Sequence, residues 1–510
     1  MSLITTLARM EAAETGRAQP AATVRHRWLA ERPMVFVPLT TAGEAGAPLG
    51  ALVGTDRAHP LLLTVRQPRD RDLRFAFLGD LADAMLPHLE SAQDDVETEQ
   101  RGDEVTELCT DAPQLLVPNG PGVDFVRLLG RSTRFRRTAE EDPETPFPAP
   151  ARLPLLGRWL THYGERARVP GSALLLPMTE LLVRHWATGQ SQVEDQHLGA
   201  LLGWLLPEGR TRREGPEARD GAGQLLLPPA GPATDPAFDN RLLAPAVERY
   251  DAGLPGAAER LDELIASQLR PTWDLMWQGL DLLRTLPAGG GVADRWRRDR
   301  FSYTHHRDRV RAGEPPQPRH DDAVTAAAKL ASREQAQARL EAQEALDDPL
   351  AMAGRRLAGE AFAGEVVEVV PEWTEGGRPR PRPLVTVRTG DHPHLSERGK
   401  VHRALPEEYG GGKQSAEYVL DGPHREGLLT VRLLTGMGRG KEPAAGSVPE
   451  PGDRVCWTLF EHTPRGGPGL PDPEDTPWTH GGPPGGAADA LPVAAVTAPP
   501  PDAETAEDFL

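Results

Sequence analysis

AGEVVEVVPEW, residues 363–373, is the stretch on which the fold turns, because four valines stand among its five positions 366–370. β-Branched side chains at that density favour a pleated strand over a helix. Three similar runs follow, PLVTVRT at 383–389, GLLTVRLL at 427–434 and DRVCWTLF at 453–460, with a weaker one, AEYVLD, at 416–421. Leu384, Thr386 and Arg388 alternate with Val385, Val387 and Thr389, as a half-buried strand requires. Five short strands between residues 363 and 462 predict a closed or nearly closed small β-barrel, OB-like or SH3-like, since closure removes the unpaired sheet edge. Pro451-Gly452-Asp453 supplies the turn into the last strand.

Two loops of this predicted barrel are basic. Arg378, Arg380 and Arg382 interleave with prolines between the first two strands, and Arg439 and Lys441 stand in the Gly-rich GMGRGK at 436–441. In an OB-fold the corresponding loops grip oligonucleotides. The plainer reading is a polar hairpin loop with no ligand. The Gly-Lys pairs Gly412-Lys413 and Gly440-Lys441 do not make a P-loop: Glu407 and Thr435 occupy the position of its first glycine, and Gln414 and Glu442 that of its Ser or Thr. Gly436, Gly438 and Gly440 lead into a Pro-rich stretch, without a helix N-terminus to hold a pyrophosphate.

Toward the N-terminus the pattern changes. Residues 34–39, 60–66, 73–78 and 114–118 read as strands between Gly, Pro and Asp, while 81–89 and 123–129 take helical spacing. Apolar residues from 151 to 207 favour helices broken by Pro170, Pro177 and Pro207, and 257–286 has strong helical periodicity. A helix from Asp321 or Asp322 to Leu346 is rich in Ala, Gln, Glu and Arg and poor in large apolar residues, which suits a connecting helix. The expected architecture is multidomain α+β: an α/β domain at 1–150, a helical domain at 151–320 with an exposed linker near 208–237, a long connecting helix at 321–362, the barrel at 363–462, and a disordered Pro/Gly-rich tail with an acidic tip at 463–510.

Composition narrows the function classes. No run of about 18 apolar residues occurs and the first residues carry Glu11 and Glu14, so a soluble cytoplasmic protein without a membrane partner is expected. Cys109 and Cys456 stand too far apart to suggest a zinc or disulfide framework and read as small apolar residues. His305, His306 and His320 near Asp321 and Asp322, and His392, His394 and His402 beside Asp391, are metal-ligand types, but they lie in Pro- and Arg-rich sequence, so no metal or cofactor is expected.

The net charge of −18 argues against indiscriminate coating of nucleic acid, but charge is sorted into blocks. Residues 90–111 hold nine acids against Arg101 alone. RLLGRSTRFRR at 127–137 and RWRRDRFSYTHHRDRVR at 295–311 set arginines among Phe135, Trp296, Phe301 and Tyr303, the combination that single-strand binding uses. Arg295, Arg297, Arg298, Arg300 and Arg307 are therefore candidate nucleic-acid contacts. The competing reading pairs these arginines with the protein's own 90–111 segment.

The tip, DAETAEDFL at 502–510, resembles the ends of bacterial single-stranded-DNA-binding proteins, which close in acids and a Pro-Phe pair and recruit repair enzymes; here the proline is missing. That resemblance implies partner contacts by Asp508, Phe509 and Leu510. Together these features predict a non-catalytic accessory protein that binds DNA or RNA through its barrel and recruits a helicase or nuclease in DNA repair or defence. A protein-assembly scaffold without nucleic-acid binding and an enzyme with a dispersed site in the N-terminal region are the alternatives.

Overall fold

A computed structural model describes residues 3–101, 104–206, 215–316, 323–375, 379–409, 411–420 and 427–464. The chain divides into two units, one built mainly on Arg25–Arg333 and one mainly on Glu334–Pro468.

Helix α1 (Leu3–Thr15) and the two-residue strand β1 (Gln19–Pro20) precede the meander β2 (Met34–Thr40), β3 (Pro48–Gly54) and β4 (Leu61–Thr64). Helix α2 (Arg71–Leu89), the hairpin of β5 (Val96–Arg101) and β6 (Glu104–Cys109), and strand β7 (Leu115–Val117) follow. Helices α3 (Gly120–Thr133) and α4 (Leu153–Arg166) lead to β8 (Leu175–Pro177). The sheet order is β4-β3-β2-β7-β8, antiparallel across the meander and parallel from β2 through β7 to β8. Next come α5 (Met178–His185), β9 (Trp186–Ala187), α6 (Leu198–Leu205), the single turn α7 (Pro236–Phe238), α8 (Ala244–Asp251), α9 (Ala257–Arg284) and α10 (Val292–Arg311). One hydrophobic core joins sheet and helices, from Leu29 to Tyr303.

Residues 73–78, expected as a strand, are the first turns of α2. Asp70 caps them by accepting from the Leu73 N–H at 3.0 Å, and Phe77, Leu78, Leu81, Ala82, Met85, Leu86 and Leu89 form one buried helical stripe. Strand β3 was not expected, because its glycines hide it. A Cβ on Gly50 would lie 2.7 Å from the Leu63 carbonyl and 2.8 Å from Ile265, so the bare backbone lets α9 sit on the sheet. Nor is the 208–237 region an exposed linker throughout: Ala230 and Thr234 are buried, and the Thr40 N–H donates to the Pro232 carbonyl at 2.7 Å.

The expected 321–362 helix is two helices, α11 (Ala323–Asp347) and α12 (Pro349–Leu357). Asp348 divides them, since a residue before proline disfavours helical backbone, and its carboxylate caps the Leu350 N–H at 2.9 Å. The proposed caps Asp321 and Asp322 lie outside the described residues. The barrel is closed and has six strands: β10 (Ala361–Val370), β11 (Leu384–Arg388), β12 (Lys400–Ala404), β13 (Lys413–Tyr418), β14 (Leu428–Leu433) and β15 (Arg454–Thr458). They run β10-β11-β14-β13-β12-β15 and back to β10, every neighbouring pair antiparallel. Phe362, Val366, Val385, Val387, Val431 and Trp457 fill the interior. The extra strand is β12, and its count departs from the five strands of an OB-fold. Among the described residues no helix is long and apolar enough to cross a membrane.

Candidate nucleic-acid interface

The hairpin between β10 and β11 is closed by backbone bonds from Thr374 N–H to the Arg380 carbonyl at 2.9 Å and from Arg382 N–H to the Glu372 carbonyl at 2.6 Å. It lifts Trp373 out of the barrel with its side chain half exposed. The loop from β14 to β15 begins with Gly436 and Gly438 at φ 79° and 82°, left-handed backbone that suits glycine. Met437 between them is buried in the barrel core and anchors the loop. The Trp373 indole N–H donates to the Lys441 carbonyl at 3.4 Å and ties the two loops together.

Between them lies a pocket of about 380 Å³ whose apolar wall is Trp373, Pro371, Pro381, Pro383, Pro443 and Val448. Glu372 and Glu442 also line it; Glu372 is held by Arg432 at 3.4 Å. Arg380, Arg439 and Lys441 are exposed on these two loops without lining the pocket, and Arg382 is half-buried with one N–H on the Pro381 carbonyl at 3.0 Å. Among the described residues, none of these four cations pairs with a carboxylate. The structure thus places Arg380 and Arg382 on one of the two tied loops and Arg439 and Lys441 on the other. Arg378 lies outside the described residues, as do Asp508, Phe509 and Leu510.

The loop is braced from inside the barrel. Arg403 on β12 is buried, donating to Gln414 Oε1 at 2.6 Å and to the Ser447 carbonyl at 2.8 Å, with its guanidinium 5.3 Å from the Trp457 ring centre. Burial pushes this guanidinium down to about 10. Gln414, itself fully buried, donates to the same Ser447 carbonyl.

The α10 arginines are differently placed. Arg297 pairs with Glu99 and Arg300 with Glu97, both on β5, and Arg311 reaches Asp94 at 2.5 Å. Arg300 also donates to the Cys109 carbonyl at 2.8 Å, and Arg298 donates to the Asp294 carbonyl at 3.3 Å within the helix. Arg295 and Arg307 are buried: Arg295 bonds the His26 carbonyl at 3.2 Å, and Arg307 bonds the Gln93 carbonyl at 2.8 Å and Cys109 Sγ at 3.2 Å. Trp296 stacks on Trp28 with centroids 5.5 Å apart, and the Tyr303 hydroxyl donates to the Leu89 carbonyl, so these aromatics are buried while Phe301 is exposed. The competing reading of this segment describes its geometry: arginines and acidic hairpin hold each other. The 127–137 arginines turn instead to local partners, Arg127 to Asp124 and Arg137 to Asp142, both at 2.9 Å.

Of the histidines singled out, His306 is buried in the first unit and stacks on His162 at 4.2 Å, while His402 lies on β12 with His462 at 6.3 Å; His320 is outside the described residues. Among the described residues no three His, Cys, Asp or Glu side chains converge as metal ligands. In the first unit a cleft of about 710 Å³ borders Met34 and Gln114, at the amino ends of parallel strands β2 and β7, and carries an Asp56–His59 pair at 2.8 Å. Open α/β sheets bind ligands at the opposite, carboxyl ends. Here that end is filled by the protein's own chain: Thr234 N–H donates to the Thr40 carbonyl at 3.0 Å and Ala42 N–H to Asp239 at 2.8 Å.

No family model matches the chain, and neither a curated protein nor a solved structure matches it.

Trp373 and the braced Arg403 are the site residues that sequence reasoning did not single out. Trp373 carries a signal that could have found it, an indole placed at the end of a strand beside Pro and Arg.

Proposed function

We propose that this chain is a non-catalytic accessory protein whose C-terminal barrel binds single-stranded nucleic acid. The observation that carries the reading is the Trp373–Lys441 hydrogen bond, which holds a half-exposed indole between two loops bearing Arg380, Arg382, Arg439 and Lys441. An indole offers a stacking platform to any base, and the four cations neutralise the flanking phosphates. Recruitment of a helicase or nuclease through Asp508, Phe509 and Leu510 belongs to the same proposal and rests on sequence.

The test is fluorescence anisotropy of the full chain with a labelled single-stranded oligonucleotide across a salt series. Four phosphate contacts on a single strand give a slope of log K on log salt near −3, at roughly −0.7 per contact. Replacing Arg380 and Arg382 by Ala is expected to flatten that slope by about 1.4. If the wild-type chain shows no salt-sensitive binding to any oligonucleotide, the nucleic-acid reading fails and the scaffold reading takes its place, with the four-proline wall of the groove as its basis.

A further inference from the structure

We infer that the cleft of the first unit binds a small zwitterion with an apolar body, of the chemistry of a dipeptide with free ends and large apolar side chains. The inference is independent of the barrel and of its ligand.

At about 710 Å³ the cleft has the size of a small-molecule site. Its floor is apolar: Met34, Val53, Ala112 and Pro113 are buried, and Leu61 lines it with nearly half of its own surface exposed. Apolar side chains of a ligand would cover that surface. The carboxyl ends of the parallel strands, the usual ligand position in such a sheet, are filled by the chain around Thr234 and Asp239, and the cleft at the amino ends is open.

The walls are held in place. Gln114 is fully buried; its Oε1 accepts from the Ala30 N–H at 3.0 Å and its Nε2 donates to the Trp28 carbonyl at 3.0 Å. Arg284 donates to the Ala30 and Glu31 carbonyls at 3.3 and 2.7 Å, so the backbone entering Glu31 and Arg32 is clamped from two sides. On the facing wall the Trp273 indole N–H donates to the Arg57 carbonyl at 3.0 Å and pins the loop that carries Asp56 and His59. A wall ordered before binding lowers the entropy lost when a ligand enters.

Both signs of charge line this one floor. Glu31, Arg32 and Asp111 are exposed, and among the described residues none of the three is in an ion pair. Arg32 acts across the cleft: burial first, and the charge of Arg32 with it, lowers the pKa of His88, while hydrogen bonds from His59 and the Ala58 N–H, then the charges of His59 and Arg32, lower that of Asp56. An anion alone would meet Glu31, Asp56 and Asp111, and a cation alone would meet Arg32. A zwitterion answers both, its carboxylate on the Arg32 guanidinium and its ammonium on Glu31 and Asp111. Asp56 is already engaged by His59 at 2.8 Å, and Asp111 gives one oxygen to the Trp296 indole N–H at 2.9 Å and keeps the other. His88 Nε2 lies 3.3 Å from the Gln114 carbonyl, which can only accept, so Nε2 carries the proton and Nδ1 is an acceptor suited to an amide N–H.

The experiment titrates the full chain by isothermal calorimetry with Leu-Phe, N-acetyl-Leu-Phe and Leu-Phe amide, which share one apolar body and carry both charges, only the negative one or only the positive one. Leu-Phe is expected to bind at least about tenfold more tightly than either blocked form, because each blocked form leaves a charged wall group without its partner. Arg32→Gln is expected to weaken Leu-Phe about tenfold and bring it level with Leu-Phe amide. Glu31→Gln combined with Asp111→Asn, which keeps an oxygen for Trp296, is expected to bring Leu-Phe level with N-acetyl-Leu-Phe. All three positions are exposed, circular dichroism checks each variant's fold, and the three-ligand comparison on the wild-type chain needs no variant. No binding of any of the three overturns the inference. So does equal affinity for all three, which means apolar contact alone, or a blocked form binding as tightly as Leu-Phe, which makes the cleft a site for a single charge. Unchanged Leu-Phe affinity in both folded variants also overturns it, placing the dipeptide elsewhere.

Discussion

Acidification should destabilise the first unit through one buried imidazole, His306. It lies on α10, stacked on His162 with ring centroids 4.2 Å apart and met edge-on by Trp159 at 4.8 Å, and among the described residues its Nε2 has no hydrogen-bond partner. Burial first, then the positive charges of Arg309 and Arg158 and the neighbouring His305, push its pKa down to about 3. His162 is driven the same way by burial, by His306, and by Arg166 and Arg309. The His306 imidazole is therefore neutral in the folded protein at pH 5, while an unfolded histidine, with a pKa near 6.5, is protonated there. The unfolded state binds more protons, so stability is intact above about pH 6.5 and falls as the pH drops from there toward the folded value near 3. Linkage gives a loss of about 2 kcal/mol from His306 between pH 7 and pH 5. The perturbation is His306→Phe, which keeps a ring in the stack and removes the proton-binding group. Urea unfolding followed by circular dichroism at both pH values should show the wild type losing about 2 kcal/mol more than the variant. Equal losses, within about 0.5 kcal/mol, would refute the reasoning.

Other consequences separate structural from binding arginines. Arg307→Ala, which strips the bonds to Gln93 and Cys109, is expected to cost about 1–3 kcal/mol in chemical denaturation, whereas Arg439→Ala should leave stability within about 0.5 kcal/mol and weaken oligonucleotide binding. Arg403→Met removes the brace on Ser447; a lower barrel stability by about 1–3 kcal/mol together with weaker oligonucleotide binding is expected, and unchanged binding would mean the loop holds itself. Gly364→Ala places a Cβ 2.1 Å from the Arg388 carbonyl at the β10–β11 pairing and should destabilise the barrel by about 1–3 kcal/mol in thermal unfolding, with the first unit's transition unchanged.

The strands richest in valine were legible because their pattern and their environment agree: Val366, Val385, Val387 and Val431 all point into the barrel. Strand β12 escaped because KVHRA places a buried arginine, Arg403, where a barrel strand ordinarily shows an apolar residue, and only Gln414, Ser447 and Trp457, distant in sequence, make that burial tolerable. Strand β3 escaped for the opposite reason, that Gly50 is needed for close approach and not for β propensity. In the candidate site, the basic loops were visible as sequence, but their convergence was not. It depends on a side-chain bond between residues 373 and 441, which no local pattern encodes. The α10 arginines show the same limit from the other side: Arg295 and Arg307 look free in sequence and are buried by contacts about 200 residues away or more.

The most direct test of the clasp is photo-crosslinking of the full chain to a single-stranded oligonucleotide carrying 5-iodouracil, which bonds to an aromatic ring on which it stacks, with the adduct mapped by mass spectrometry. The account predicts the adduct on Trp373, and its loss in the Trp373→Ala variant. Adducts on the exposed rings Phe301 or Phe135, with none on Trp373, would contradict it.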